Sequence, residues 1–336
     1  MPGLIERQQV GKREDLADII SLLDTRSTPM VSMIPKGEDL KNMTFDWQLD
    51  AYELPNIAGV LDGSDVDSFE NAARNRVKVS GRAMKVRRTA MVSDFAENVS
   101  DVAGLGKKGE MAHSVVKKLE ELKRDMESII GGSQDSVAED GINPYRTRGL
   151  GQWISSSAGT DLPVPTAFLT PSASIDSTQT STLAESNIQA VLESVYKQTG
   201  KRKRYTLFAG TKLKRQFTFF SQYNPTVSSN TSIRLFNHDG DNQMIESNVD
   251  FFAGDFGEIE VLPDLWLARD DASSATTGQA RGYLVDMELL KLRYNRRPRF
   301  QPLEDKGGGP RGLVDAVFAL LVLNPLGLGK FNATTL

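Results

Sequence analysis

At 336 residues, with no cysteine, two histidines and 40 basic against 44 acidic side chains, the chain is long enough for two domains or one elaborate one, and a disulfide scaffold and thiol chemistry are excluded. A net charge of −4 gives no overall pull toward nucleic acid or membrane. The opening Met1-Pro2-Gly3-Leu4-Ile5-Glu6-Arg7 lacks the apolar core of a signal peptide, and the longest apolar run, 316–323, falls far short of the ~20 residues of a spanning helix, so a soluble protein made in the cytoplasm is expected.

In chain order, Leu16, Ile19, Ile20 and Leu23 mark a short amphipathic helix over about 14–23. Thr28-Pro29 and Pro35 then frame an extended arm whose Met30, Val31, Met33 and Ile34 need a groove, in this subunit or a neighbour. Residues 43–50 alternate apolar and polar without a break, the period of a half-buried strand. Residues 76–88 return with the same alternation, its parity flipping near Gly81–Met84 as a bulge would make it. The two arms are charge-segregated. Residues 76–92 hold six bases and no acid, whereas 36–70 hold nine acids and two bases. Their tip, 51–75, reads as a long polar loop, and loops of that length are usually functional or mobile. Such an arm is expected to lie on something else, most simply a copy of itself.

A long helix is expected over about 107–130, with Met111, Val115, Leu119, Leu122, Met126 and Ile129 as its apolar stripe and Gly131-Gly132 as its end. From 155 to 182, 13 of 28 residues are Ser or Thr, with Pro163, Pro165 and Pro171 among them, so this stretch is expected to be an exposed connector. A second α/β region follows. Thr182 and Glu185 suggest a capping box for a helix through Val191, Leu192 and Val195 to Gly200. Strand 205–209, a helix near 212–220 and strands near 244–252 and 258–262 complete it. Strands return around 283–285, 289–294 and 313–323, stopped by Asn324-Pro325.

Chemical motifs are incomplete. Gly104-Leu105-Gly106-Lys107-Lys108-Gly109 has dinucleotide-loop spacing, but a polar stretch precedes it where a buried strand is needed, so it reads as a helix entrance. His113 falls within the long helix and His238 in a turn. The acids at 62–67 and 239–241 lack the full calcium-loop pattern. No metal, cofactor or catalytic set is expected. Lys201-Arg202-Lys203-Arg204 reads as a solvated turn, with contact to nucleic acid or a neighbour as the alternatives. Arg293, Arg296, Arg297 and Arg299 flank Tyr294 and Phe300, an interleaving compatible with phosphate contact, although salt links between subunits suit the net charge better.

Taken in order, these segments resemble the tailed-bacteriophage major capsid protein family. Thr28-Pro29-Met30-Val31-Ser32-Met33-Ile34-Pro35-Lys36-Gly37, Phe45-Asp46-Trp47-Gln48-Leu49-Asp50 and Val79-Ser80-Gly81 are similar to an opening segment, a strand and a return strand of one branch of phage head proteins. Leu119-Glu120-Glu121-Leu122-Lys123-Arg124-Asp125-Met126-Glu127 resembles its spine helix, and Thr147-Arg148-Gly149-Leu150 and Val322-Leu323-Asn324-Pro325 fit later anchors. The resemblance implies an α+β capsid fold: an N-terminal arm (1–36), an E-loop hairpin (37–92), a spine helix and peripheral domain with connector (93–182), an axial domain (183–270) and a return to the peripheral domain (271–336). It implies a self-assembling shell of hexamers and pentamers around double-stranded DNA, located in the virion. Portal, scaffolding and cement proteins are the implied partners, with only weak non-specific contact to DNA and none to membrane. Intersubunit contact is expected at Asp46, Trp47, Asp50, Arg76, Lys78, Arg82, Arg87, Arg88, Arg296 and Arg297. Some heads of this fold join an E-loop lysine to a neighbour's asparagine; here no lysine lies between Lys41 and Lys78, so a non-covalent shell is expected. The alternatives are an encapsulin-like compartment shell, which the sequence separates poorly from a phage head, and a two-domain enzyme, disfavoured by the absence of any complete catalytic motif.

Overall fold

The computed structural model describes residues 28–67, 69–71, 74–98, 105, 109–180, 183–220, 237–239, 242–244, 249–269 and 277–333. The expected helix at 14–23, most of the glycine-rich run at 104–109 and Thr182 lie outside them. Residues expected to run as an extended arm instead form a short helix, α1 (Pro29–Met33), which buries Met30, with Ile34 buried just beyond it. Proline at the first helical position is pre-set for that turn. In β1 (Thr44–Leu49) Phe45 and Leu49 are buried and Asp46 and Gln48 exposed, as alternation dictates. β1 pairs antiparallel with β2 (Val77–Arg82), Thr44 opposite Arg82 and Leu49 opposite Val77. The parity flip marks a change of partner where a bulge was expected. Buried Ala83 donates its N–H to Met43 O at 2.7 Å and interrupts the strand, and β3 (Met84–Met91) departs for another sheet.

After α2 (Asp94–Asn98) comes the long helix α3 (Glu110–Ile130). Glu97 Oε2 accepts the Met111 amide at 3.0 Å, satisfying one of the free donors of the first turn. Leu122, Met126 and Ile130 are fully buried, while Met111, Val115 and Leu119 of the expected stripe are only half-buried. Gly131 ends the helix where a Cβ would stand 2.7 Å from Leu267 Cδ2. After α4 (Leu150–Trp153), the Ser/Thr-rich stretch packs rather than running exposed. Val164, Phe168, Thr170 and Ser174 are buried, and prolines 165 and 171 each precede a short 3-10 turn. The hydroxyls bond internally: Thr170 Oγ1 donates to Pro325 O at 3.0 Å, and Ser174 Oγ meets Ser194 Oγ at 2.8 Å. Composition alone does not reveal such pairing. The stretch also contributes a two-residue strand, β4 (Ile175–Asp176).

The α/β region follows with α5 (Glu185–Thr199), β5 (Lys203–Ala209), α6 (Thr211–Phe220), a hairpin of β6 (Asn237–Asp239) and β7 (Asn242–Met244), β8 (Phe251–Ala253) and β9 (Gly257–Pro263). Asn187 Oδ1 accepts the Ala184 amide at the start of α5, and Gly200 ends the helix with φ +64°. His238 sits in β6 opposite Gln243, not in the turn. Ile188, Val191, Leu192, Tyr205, Leu207, Phe217, Ile259, Val261 and Phe331 form the core of this region.

The chain closes with α7 (Thr277–Ala280), β10 (Arg281–Val285), β11 (Leu290–Leu303), β12 (Arg311–Val322) and β13 (Gly329–Asn332). A mixed six-stranded sheet runs β4-β13-β10-β5-β9-β8, and a three-stranded sheet runs β11-β12-β3. The chain divides into two compact units: one holds 87–122 and 299–315, the other, of the described residues, 28–86, 123–298 and 316–333. In the second unit Leu40, Phe45, Ala83, Val317, Ala319 and Leu321 make a separate core beneath the hairpin.

Candidate functional site

The hairpin's charges serve the hairpin first. Asp46 Oδ2 takes Lys78 Nζ at 2.8 Å and its Oδ1 takes Ser80 Oγ at 2.6 Å; the Lys78 bond, then the Ser80 one, holds this carboxyl below its ordinary range. Asp50 pairs with Arg76 at 3.1 Å and Glu53 with Arg74 at 3.5 Å. These are exposed pairs, worth about 0–1 kcal/mol each. They join three acids of the first arm to Arg74, Arg76 and Lys78 on the return.

Beyond them the tip changes character. Every described residue from 51 to 74 is exposed. The tip is apolar as well as long: Tyr52, Leu54, Ile57, Val60, Leu61, Val66 and Phe69 are all at least 72% exposed. Gly63, at φ +78°, and the Leu61 carbonyl, which accepts Ser64 N and Oγ, supply a turn within it. Large apolar side chains this exposed and gathered on one segment make a candidate interaction surface.

The base of the hairpin is held firmly. Trp47 donates from Nε1 to Leu323 O at 3.2 Å, stacks on Phe45 at 5.8 Å and meets Trp153 at 5.7 Å. Opposite Phe45 stands Gly81, where a Cβ would lie 2.6 Å from the ring. Arg82 grips Asp161 with two parallel bonds of 2.5 and 3.0 Å and donates also to Thr44 Oγ1. This two-bond geometry is the strong form of an arginine–carboxylate pair, and it keeps Asp161 well ionised. Arg148, almost fully buried, continues the network. Its Nε donates to Asp135 at 2.7 Å, its Nη2 to Asp161 O and Leu162 O, and its guanidinium lies over Trp153 at 4.7 Å. Leu162 takes a left-handed φ of +49° at this point, a conformation costly for a branched side chain and held by the network.

Of the residues expected at an interface, Trp47 and Arg82 help to seat the hairpin, and Asp46, Asp50, Arg76 and Lys78 pair along its arms while staying exposed. Arg87 and Arg88 are exposed on β3, Arg88 lying 4.0 Å from Glu121. Arg296 and Arg297 follow one another on β11; Arg297 partly offsets the burial that pushes Tyr294 up to about 12. Arg293 lies over Phe45 and donates to the Glu38 and Asp39 carbonyls, and Arg299 is 3.9 Å from Asp315. In the basic run at 201–204, Lys201, Arg202 and Arg204 are exposed, as a solvated turn requires, and Lys203 is half-buried. Lys203 bridges Asp286 and Glu288, both at 2.7 Å, and Arg204 meets Glu260 at 3.1 Å and covers Phe251. Asp135, Arg148, Trp153 and Asp161 escaped the reading of candidate sites, though Arg148 lies in a segment already singled out. Among the described residues no group of histidines and acids is placed to hold a metal, and no helix is long and apolar enough to cross a membrane.

A sequence profile of the SU10 major capsid protein family matches residues 5–335. The major capsid protein of Escherichia phage Phieco32 is 32% identical over 133 residues, 39% of this chain and 36% of that protein, so the matched stretch spans about a third of the relative's length. In three dimensions the chain is similar to a capsid chain of cyanophage A-1(L), with a TM-score of 0.65 at 12% identity over 98% of both chains. It is similar also to one of cyanophage P-SCSP1u, with a TM-score of 0.61 at 10% identity over 99% of this chain and 98% of that one. At such identities the likeness establishes the fold, which is that of tailed-phage capsid subunits.

Proposed function

Since the chain belongs to the SU10 major capsid protein family, we propose that it is the repeating subunit of a phage head shell, closing around DNA by interfaces repeated under symmetry. The observation that carries this reading is an apolar tip held out on a firmly seated hairpin. Segment 37–92 is then the arm that reaches a neighbouring copy, with 1–36 as a second arm, 93–182 and 271–336 as the peripheral domain and 183–270 as the axial one. Arg87, Arg88, Arg296 and Arg297 are the arginines that face neighbours in this reading. Portal, scaffolding and cement proteins complete the set of partners. Electron microscopy of the expressed protein is the test: large shells or hexameric capsomers are expected, and small globular particles alone would refute the assignment.

The joins are non-covalent in this reading. Lys78, on β2, is paired with Asp46, and an arginine such as Arg74 or Arg76 stays protonated and is a poor nucleophile. Mature particles boiled in detergent are expected to run as a single band at the monomer mass of 37.0 kDa. A ladder of multiples would show a cross-link.

A further inference from the structure

Glu127 and Asp264 are each 1% exposed. Glu127 lies in the last turn of α3. Its Oε1 accepts the Met30 amide at 2.6 Å and its Oε2 the Val31 amide at 2.8 Å. A carboxyl 97 residues away thereby does for α1 what its own preceding residue does not, since the Thr28 side chain makes no cap. Beside it, Asp264 Oδ1 accepts the Trp266 amide at 2.8 Å, while its Oδ2 is buried and receives no hydrogen bond, with the Glu127 carboxyl as the side chain's neighbour.

Two carboxylates side by side offer acceptors and no donor. One proton between them supplies the donor and removes one of two buried charges. Burial first, then the Asp264 charge, raises Glu127 to about 8 against the pull of the two α1 amides, and burial raises Asp264 to about 6. The other charged and titratable groups on the elements packed here are Arg124, Arg281 and Tyr283. Arg124, one turn earlier on α3, lies over the Trp266 ring at 5.3 Å. Arg281, which opens β10, receives the Gly210 amide on its carbonyl next to the Ala209 carbonyl that takes the Asp264 amide. Tyr283 donates its hydroxyl to Gly131 O. α1 itself brings only backbone.

We propose that Glu127 and Asp264, sharing one proton, form a proton-dependent latch that seats α1, and with it the root of the N-terminal arm, on the end of the long helix. The latch does not depend on the chain building a shell. An acid whose closed-state pKa lies above its open-state value favours closure at low pH, and that preference is lost as pH rises through the closed-state value. Between about pH 6 and 8 opening releases one proton, so the opening constant grows about tenfold per pH unit and levels off above 8.

Hydrogen exchange at the Met30 and Val31 amides of the assembled protein, corrected for intrinsic rate, reads this directly, with the amides of β5 as internal reference. About a hundredfold loss of protection is expected from pH 6 to pH 8, one proton over two units. Glu127→Gln has no titrating proton and should flatten the dependence, although its single acceptor oxygen can receive only one of the two α1 amides. Asp264→Asn leaves Glu127 and removes its charged neighbour, so the levelling-off point should move to lower pH. Flat protection in the unaltered protein, or an unchanged slope in Glu127→Gln, would overturn the latch. If Glu127→Gln fails to fold, an unmoved levelling-off point in Asp264→Asn would do so.

Discussion

Replacing residues 51–75 by a two-residue Asn-Gly turn is expected to give a folded subunit that no longer forms shells. No described residue of that segment between 51 and 74 is withdrawn from solvent, so the cores lose nothing with it. The turn suits the twist of β1 and β2, and a shorter loop costs less entropy to close. Thermal stability should therefore be unchanged or slightly raised. Assembly is another matter. Each large apolar side chain fully buried at a contact contributes about 1.5–3 kcal/mol before the cost of association, and the tip carries seven. That contribution recurs wherever one subunit meets the next. Sedimentation and microscopy would decide: shells of normal size from the deleted chain would show that the tip does not join subunits.

Arg148→Ala should destabilise the chain more than any substitution in the hairpin's exposed ladder. The guanidinium is 2% exposed and serves the Asp135 carboxylate, two carbonyls and the Trp153 ring at once. Asp135 is 24% exposed and keeps the Thr160 and Ser136 amides, so the cost is that of the lost charged hydrogen bonds, about 1.5–3 kcal/mol. Arg148→Lys should recover only part of this, because one ammonium cannot reproduce a planar fork. Chemical denaturation of the unassembled subunit measures both. A loss below about 1 kcal/mol in Arg148→Ala would mean that the network is not holding the hairpin's base.

Much of the architecture was legible because it follows from local pattern. Period-two alternation placed β1, and helical spacing with terminal glycines placed α3 and α5 within a few residues. The departures occur where distant partners decide. Within residues 29–33 only Pro29 favours a helical turn, and the first amides of that helix are received by the distant Glu127. The parity flip at Ala83 is compatible with a bulge and with a change of sheet, and only the buried face supplied by Val317, Ala319 and Leu321 chooses between them. Composition made 155–182 look exposed, yet its hydroxyls find carbonyl and hydroxyl partners as far away as Pro325. At the hairpin the sequence pattern and the structure draw attention to different groups. Charge drew attention to the arms, whereas the tip's unsatisfied groups are its hydrocarbon side chains.

The pairing of Asp46 with Lys78 and of Asp50 with Arg76 bears on what holds such an assembly together. Ion pairs already closed within one molecule have little left to give to another. What remains to be gained at the tip is the release of water from Leu54, Ile57, Val60, Leu61 and Phe69, and near room temperature that gain is almost wholly entropic. A particle joined in this way draws cohesion from the solvent. Its seams tighten on warming, slacken toward the freezing point and respond more to excluded solutes such as sulfate than to the screening of charge.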